Sequence, residues 1–401
     1  MVLRGSFGIF YAQDFGLGVG NTIAANPPFS NYGGLDIVSD QTNPSTGFLV
    51  VPGASIATPP PINPSTYKWN PTSTTTLQVF ANKMTTPYVE EWNLTIEKQL
   101  PWQLAWQVSY VGNAGIHQWA VYQDNQPLTN GPGSPNTRRP LSQYASGSLI
   151  ETSPWATSSY QGISTKLEKK YSNGVSFLAA FTHGRAIDFQ DSAALGMCLG
   201  SQGCGGGDFP QNTYNLGPQR GPSDNDVAER FSMGGEWVLP FGRDKAYLQT
   251  GFPSIIAGGW VLTGIYQDES GMPFTVTLPT DNANAGNTSW PNRVCNGNIS
   301  NRTINAWFDR SCFVTPPQYQ FGNEGRNVLW GPGVNNLDFS VHRDFHPTEG
   351  SVVECRFEAF NSLNHPQFDR PGSTVGTPTY GVITGTSQNA RVVQLGIHLS
   401  F

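Results

Sequence analysis

The sequence predicts an all-β fold, an antiparallel transmembrane β-barrel of about ten strands, with short turns at one end and long loops at the other. Three observations carry that reading. Apolar and polar side chains alternate in repeated stretches, which gives a strand one greasy and one wettable face. The connections alternate between very short and very long. Charged residues make up 12% of the chain, against roughly 25% in soluble domains, so something other than a charged shell must suit this surface to its surroundings.

The elements follow in order. VLRGSFGIFYAQ opens the chain. EEWNLTIEKQL (90 to 100) sets Trp92, Leu94 and Ile96 against Asn93, Thr95 and Glu97. QLAWQVSYVG (103 to 112) sets Leu104, Trp106, Val108 and Tyr110 against Ala105, Gln107 and Ser109, and the two form a hairpin across Pro101 and Trp102. YQGISTKLEKKY and VSFLAAFTHG flank Ser172, Asn173 and Gly174, where Asn-Gly tolerates positive φ. RFSMGGEWVLP (230 to 240) and the stretch 259 to 268 are joined loosely through FGRDKAYLQTGFPSIIA. NNLDFSVHRDF (335 to 345) and SVVECRFEAFN (351 to 361) flank HPTEG, and RVVQLGIHLSF (391 to 401) closes the chain. That last stretch has eleven residues, the length a tilted strand needs to cross a bilayer.

Between hairpins lie irregular Gly-, Pro-, Asn- and Ser-rich stretches of roughly 28 to 74 residues, which soluble domains seldom tolerate. Outer-membrane barrels have this asymmetry, with short periplasmic turns and long extracellular loops. Glu354, Arg356 and Glu358 share a face opposite Val353, Cys355, Phe357 and Ala359. Because a Lys or Arg facing lipid at the midplane costs about 2 to 4 kcal/mol, the charged face is expected to line a wet lumen. An open ten-stranded sheet would leave two bare edges that lipid cannot hydrogen-bond, so either the chain closes by itself or more strands belong to the barrel.

The net charge of -6 offers no basic footprint, and nucleic acid is not an expected partner. No window approaches 18 consecutive apolar residues, the best being the Gly-interrupted IIAGGWVLTGIY. MVLRGSFGIFYAQD lacks the pattern of a secretory signal, so a secreted barrel would be expected to continue upstream.

The segments TPYVEEWNLTIEKQLPWQLAWQVSYVGNAGIHQ, SDNDVAERFSMGGEWVLPFGRDK and GPGVNNLDFSVHRDF resemble TonB-dependent, Oar-like outer-membrane receptors, the kind with a carboxypeptidase-regulatory-like N-terminal domain. The block from ECRFEAFNSLNHPQFDRPG to the terminal Phe extends the resemblance, which runs from about Pro87. It implies a 22-stranded barrel of which residues 1 to 401 are the C-terminal portion, with signal peptide, β-sandwich and plug domains lacking. It further implies transport of a nutrient ligand across the cell outer membrane, contact with membrane lipid, and TonB contact through the plug region alone. The alternative is a surface barrel whose loops bind a partner or glycan without transport. In such receptors a last strand ending in Phe resembles the signal read by the barrel-assembly machinery. Val393, Leu395, Ile397, Leu399 and Phe401 would then serve insertion, or they are simply lipid-facing residues.

Few residues suggest chemistry. Cys198 and Cys204, and Cys295 and Cys312, lie in outward loops where an oxidising exterior permits disulfides. Four cysteines allow three pairings, and neither pair has zinc-finger spacing. Cys355 faces the apolar side as an unpaired strand residue. His342 and His346 share a strand rather than a helix, so their spacing separates them. No nucleophile, base and orienting acid form a local motif, so neither an enzyme nor a cofactor or metal site is expected. Tyr67, Trp69, Trp155, Trp290, Trp307 and Trp330 lie in loops and could stack on a small-molecule or glycan ligand, or belong to the interfacial aromatic girdle.

Overall fold

The computed structural model describes residues 1–11, 77–144, 148–190, 209–348 and 350–401. Ten long strands form one continuous antiparallel wall in chain order. They are β1 (Val2–Tyr11), β2 (Tyr88–Leu100), β3 (Leu104–Gln123), β4 (Leu149–Ser172), β5 (Val175–Asp188), β6 (Glu229–Val238), β7 (Trp260–Glu269), β8 (Val334–Thr348), β9 (Ser351–Phe360) and β10 (Val392–Ser400). A short strand, Leu77–Phe80, runs parallel to the start of β4, and Gly221–Pro222 caps the end of β5. Among the described residues each of β1 and β10 pairs with one neighbour only, so the wall has two free edges.

The register shows why the alternation matters. Residues opposite one another in an antiparallel pair lie on the same face. Trp237, Leu262, Val341, Phe357 and Leu395 are linked by direct pairing across β6 to β10, and all are apolar. One residue along, Ser176, Glu236, Thr263, Ser340, Glu358 and Gln394 are linked across β5 to β10, and all are polar. The apolar row lies open: Leu395 is 81% and Ile397 79% exposed, with no second layer over them among the described residues. Water would penalise so large a patch, whereas a bilayer supplies what covers it.

The short turns have the expected chemistry. Asn173 (φ 51°) and Gly174 (φ 79°) make the tight β4–β5 connection, and Trp102 and Gln103 (both φ 60°) turn β2 into β3. Two features depart from the sequence reading. First, β3 and β4 are 20 and 24 residues long, about twice the alternating stretches that marked them. Alternation is imposed only where lipid touches one face; beyond the bilayer both faces meet polar surroundings and the pattern fades. Second, the loose β6–β7 connection contains a helix, α1 (Gly251–Ala257), the one α-helix among the described residues.

Candidate functional site

The described parts of the long connections, expected as irregular loops, are irregular in hydrogen bonding yet tightly packed. Phe274, Val276, Phe308, Cys312, Phe313, Leu329 and Tyr380 form a core at the long-loop end, with Trp307, Val328 and Val375 against it. The Phe308 ring is its centre, with centroids 5.8 Å from Phe274, 5.7 Å from Phe313 and 5.3 Å from Tyr380. Two miniature ladders hold the backbone there, Pro273–Phe274 with Leu329–Trp330 and Asn292–Arg293 with Phe313–Val314. A disulfide joins Cys295 to Cys312 beside the second.

Buried amides pin further loops to this core. Gln126, fully buried, donates from Nε2 to the Gln211 carbonyl (2.8 Å) and accepts from the Thr213 amide (2.6 Å). Gln211 in turn donates to the Gly322 carbonyl (2.9 Å) and accepts from the Trp290 amide (3.3 Å). Asn284 donates to the carbonyls of Gly131 (2.8 Å) and Gly133 (2.7 Å), and Arg138 donates to the Asn284 carbonyl (2.8 Å). Breaking one such bond strands a desolvated polar group, so the pins set relative loop positions more firmly than their net energies suggest. The described residues of the segments after β3, β5 and β7 therefore form one cap.

Charge is concentrated where the cap meets the wall. The guanidinium of Arg326, 1% exposed, contacts Asp188 at the end of β5 and Asp224 (3.3 Å), and its Nε donates to the Gln219 carbonyl (3.1 Å). Burial pulls the Arg326 pKa down to about 10, which leaves it a cation at neutral pH. Asn327 donates to Asp224 and to the Pro222 carbonyl (2.8 Å). Arg185 pairs with the buried Asp226 at 2.9 Å and lies over the Trp330 ring, 5.4 Å from its centroid. Glu324 behaves differently. Burial pushes its pKa up to about 9, against the opposing effects of the Val276 amide (3.2 Å) and Arg293, so it is a neutral acid at pH 7.

Below the cap lies the polar face of the wall. A cleft of about 900 Å³ opens there, lined by Lys166, Glu168, Glu236, Asp338 and Glu358 among others. Lys169 and Lys170 line it too, so four carboxylates face three ammonium groups and the lining is polar and close to charge balance. Arg356 is held between Glu354 (2.5 Å) and Glu358 (3.5 Å) on the same face. The arrangement can pass or concentrate polar solutes.

Of the aromatic residues expected as ligand platforms or girdle, Trp155, Trp307 and Trp330 are half-buried and Trp290 is buried. Trp290 is 0% exposed, so its ring is out of a ligand's reach, a correction to the expectation. Trp307 packs on the cap core, donates to the Trp330 carbonyl (2.8 Å) and carries Arg302 over its ring at 5.4 Å. Trp155, expected in a loop, lies within the extended β4 and makes edge contacts with Phe189 (5.3 Å) and Tyr122 (6.3 Å). Loop tryptophans fill a core because the cap needs apolar mass that its Gly- and Asn-rich sequence otherwise lacks. Tyr67, Trp69, Cys198 and Cys204 lie outside the described residues. Cys355 is a free thiol in β9. Cys295, Asp309 and Cys312 come together, but the disulfide occupies both sulfurs as metal ligands. Gln126, Gln211, Glu324 and Arg326 escaped the sequence reading. The available signal was the pairing of Glu324 and Arg326 in GNEGRNVLW, a charged cluster within an uncharged stretch.

A family model described as outer membrane beta barrel domain matches residues 1–394. Among solved structures, the chain is similar to the outer membrane transporter YddB from Escherichia coli, at 13% identity and a TM-score of 0.42, over 82% of this chain and 34% of that one. It is similar to the FrpB iron transporter from Neisseria meningitidis (F3-3 variant) at 10% identity and a TM-score of 0.37, over 81% and 33%. The ferric citrate transporter FecA in the unliganded form gives 11% identity and a TM-score of 0.36, over 79% and 31%. The chain thus spans about a third of the length of these transporters. No curated protein matches it.

Proposed function

The chain belongs to the outer membrane beta barrel domain family and resides in the outer membrane, and on that premise we propose that it is the barrel part of a TonB-dependent-receptor-like importer of a nutrient ligand. The cap faces the exterior, where the ligand is first met, and the polar face forms part of the wall of the passage. Oar-like kinship, coupling to TonB through a plug region and insertion by the barrel-assembly machinery belong to the same proposal. Its C-terminal portion of a larger barrel would be completed by strands added at the free edges of β1 and β10.

The observation that carries this reading is the cap itself. Loops from three successive hairpins are locked together by Gln126, Gln211 and Arg326 above a continuous polar face. A fixed loop assembly over a wettable wall suits capture followed by passage, because preorganised loops lose less entropy when a ligand binds. The test is growth of strains with and without the complete reading frame on ferric chelates and oligosaccharides as sole sources, each with and without TonB. A growth advantage that needs both the gene and TonB supports import. Binding of the same compounds to cells without any uptake would favour the surface-adhesion alternative.

A further inference from the structure

The β6–β7 connection differs from the other three at the short-turn end. Those connections need only two or three residues, whereas this one makes an excursion from 239 to 259 that includes α1. The excursion is closed at its neck: a Cβ on Gly242 would come within 2.7 Å of the Gly258 Cα, so the outgoing and returning chains touch. A seven-residue helix is marginal in isolation, and this neck helps hold it in place.

Its side of the wall is fixed by two residues. Arg343 continues the apolar row of Leu337, Phe339 and Val341 on β8, and it pairs directly with Trp260. Both reach α1, where Arg343 Nη1 (3.0 Å) and Trp260 Nε1 (2.8 Å) donate to the same carbonyl, that of Ile256. Side chains of the lipid-facing row thus grip the last turn of α1. The helix lies against the outer, lipid side of the rim and away from the lumen. The Arg343 guanidinium also sits 5.7 Å from the Trp260 centroid and 4.5 Å from that of Phe345, an aromatic-and-cation grouping suited to a membrane boundary.

What α1 presents outward has no partner among the described residues. Phe252 is 73% and Ile255 63% exposed, Ile256, Tyr247 and Leu248 are exposed beside them, and Arg243 and Lys245 lie on the same excursion. Position decides the occupant. The excursion joins the sixth and seventh of ten strands, so strands added at either free edge would lie far from it. Anything filling the lumen would meet the opposite face. The apolar surface of α1 is instead continuous with the face that lipid already covers, and its cations match the phosphates of a headgroup layer.

We propose that α1 is an interfacial anchor, which sets Phe252 and Ile255 into the phospholipid leaflet on the short-turn side while Arg343, Arg243 and Lys245 meet its phosphates. The anchor would fix how deep the wall sits in the membrane. It depends on residence in the outer membrane and is independent of the import reading.

The experiment uses the complete protein carrying Cys355→Ser, reconstituted in vesicles of phosphatidylethanolamine and phosphatidylglycerol. A fluorescent label is placed at Phe252→Cys or Ile255→Cys, with Thr137→Cys at the exposed loop end as comparison and the protein without an added cysteine as background. These side chains are exposed, so labelling leaves packing intact. Quenching by lipids brominated in the upper acyl chain, relative to quenching by aqueous iodide, is expected to be at least fivefold higher at 252 and 255 than at 137. Iodide quenching equal to that at 137 would overturn the anchor. Protection from both quenchers would overturn it too, because protein, such as a second copy, would then be the cover.

Discussion

Arg326 and Asp188 lie 138 residues apart in sequence and meet in an ion pair from which water is almost wholly excluded. One comes from the cap and the other from the end of β5, so the pair joins loop to wall.

Arg326→Ala is expected to leave Asp188 uncompensated and to destabilise the junction by about 3 to 5 kcal/mol, whereas Arg326→Met with Asp188→Asn should lose much less. Hydrogen exchange in residues 209–228 and 270–330 reads this. Exchange should rise there while β8 and β9 stay protected. Equal losses in the single and double variants would show that the pair itself is unimportant.

Glu324 makes the cap pH-dependent. Unfolded, it loses its proton near the ordinary value of 4.5; folded, it keeps the proton up to about 9. The folded state binds the extra proton between these values, so cap stability is full below the lower one and falls as pH rises toward the upper one. Cap protection in hydrogen exchange, corrected for intrinsic rates, should be greater at pH 5 than at pH 8. Glu324→Gln should flatten that dependence, and an unchanged slope would assign it to another group.

Cys295→Ser removes the crosslink beside the Asn292–Arg293 ladder. A loss of about 2 to 4 kcal/mol, confined to the cap, is expected. Limited proteolysis with and without reductant checks this: cleavage within 270–330 should accelerate, and the wall should survive intact.

The two faces of β10 should respond oppositely to charge. Leu395→Arg sets a cation on the open apolar row and should cost about 2 to 4 kcal/mol, visible as a loss of membrane-inserted protein. His398→Lys, on the face shared with Glu354, should be tolerated. Phe401→Asp probes the terminal residue as an assembly signal. Wild-type insertion of that variant would assign the row to lipid contact alone.

Much of the wall was legible because a bilayer imposes a strict rule on each strand separately. Leu395, Ile397 and Leu399 alternate with Gln394, Gly396 and His398 whatever the neighbouring strands do, and Asn173-Gly174 announces its turn locally. The extensions of β3 and β4 left no such mark, since both their faces leave the lipid. Neither did α1, whose seven residues hold a Pro and two β-branched isoleucines and depend on Arg343 and Trp260, supplied by strands.

The cap was hidden for a different reason. Gln126 and Gln211 are ordinary loop glutamines until residues 85 positions apart are brought together and dried. Trp290 reads as an exposed platform until the Gly322 and Gln211 segments close over its backbone. Sequence by itself determined which face of each strand meets oil and where the hairpins turn, because those follow from local periodicity against a uniform solvent. Only the tertiary structure decided that the described loop segments after β3, β5 and β7 are one packed cap, which polar groups are buried within it and where α1 lies, because those depend on long-range contacts between segments whose own sequences carry no period.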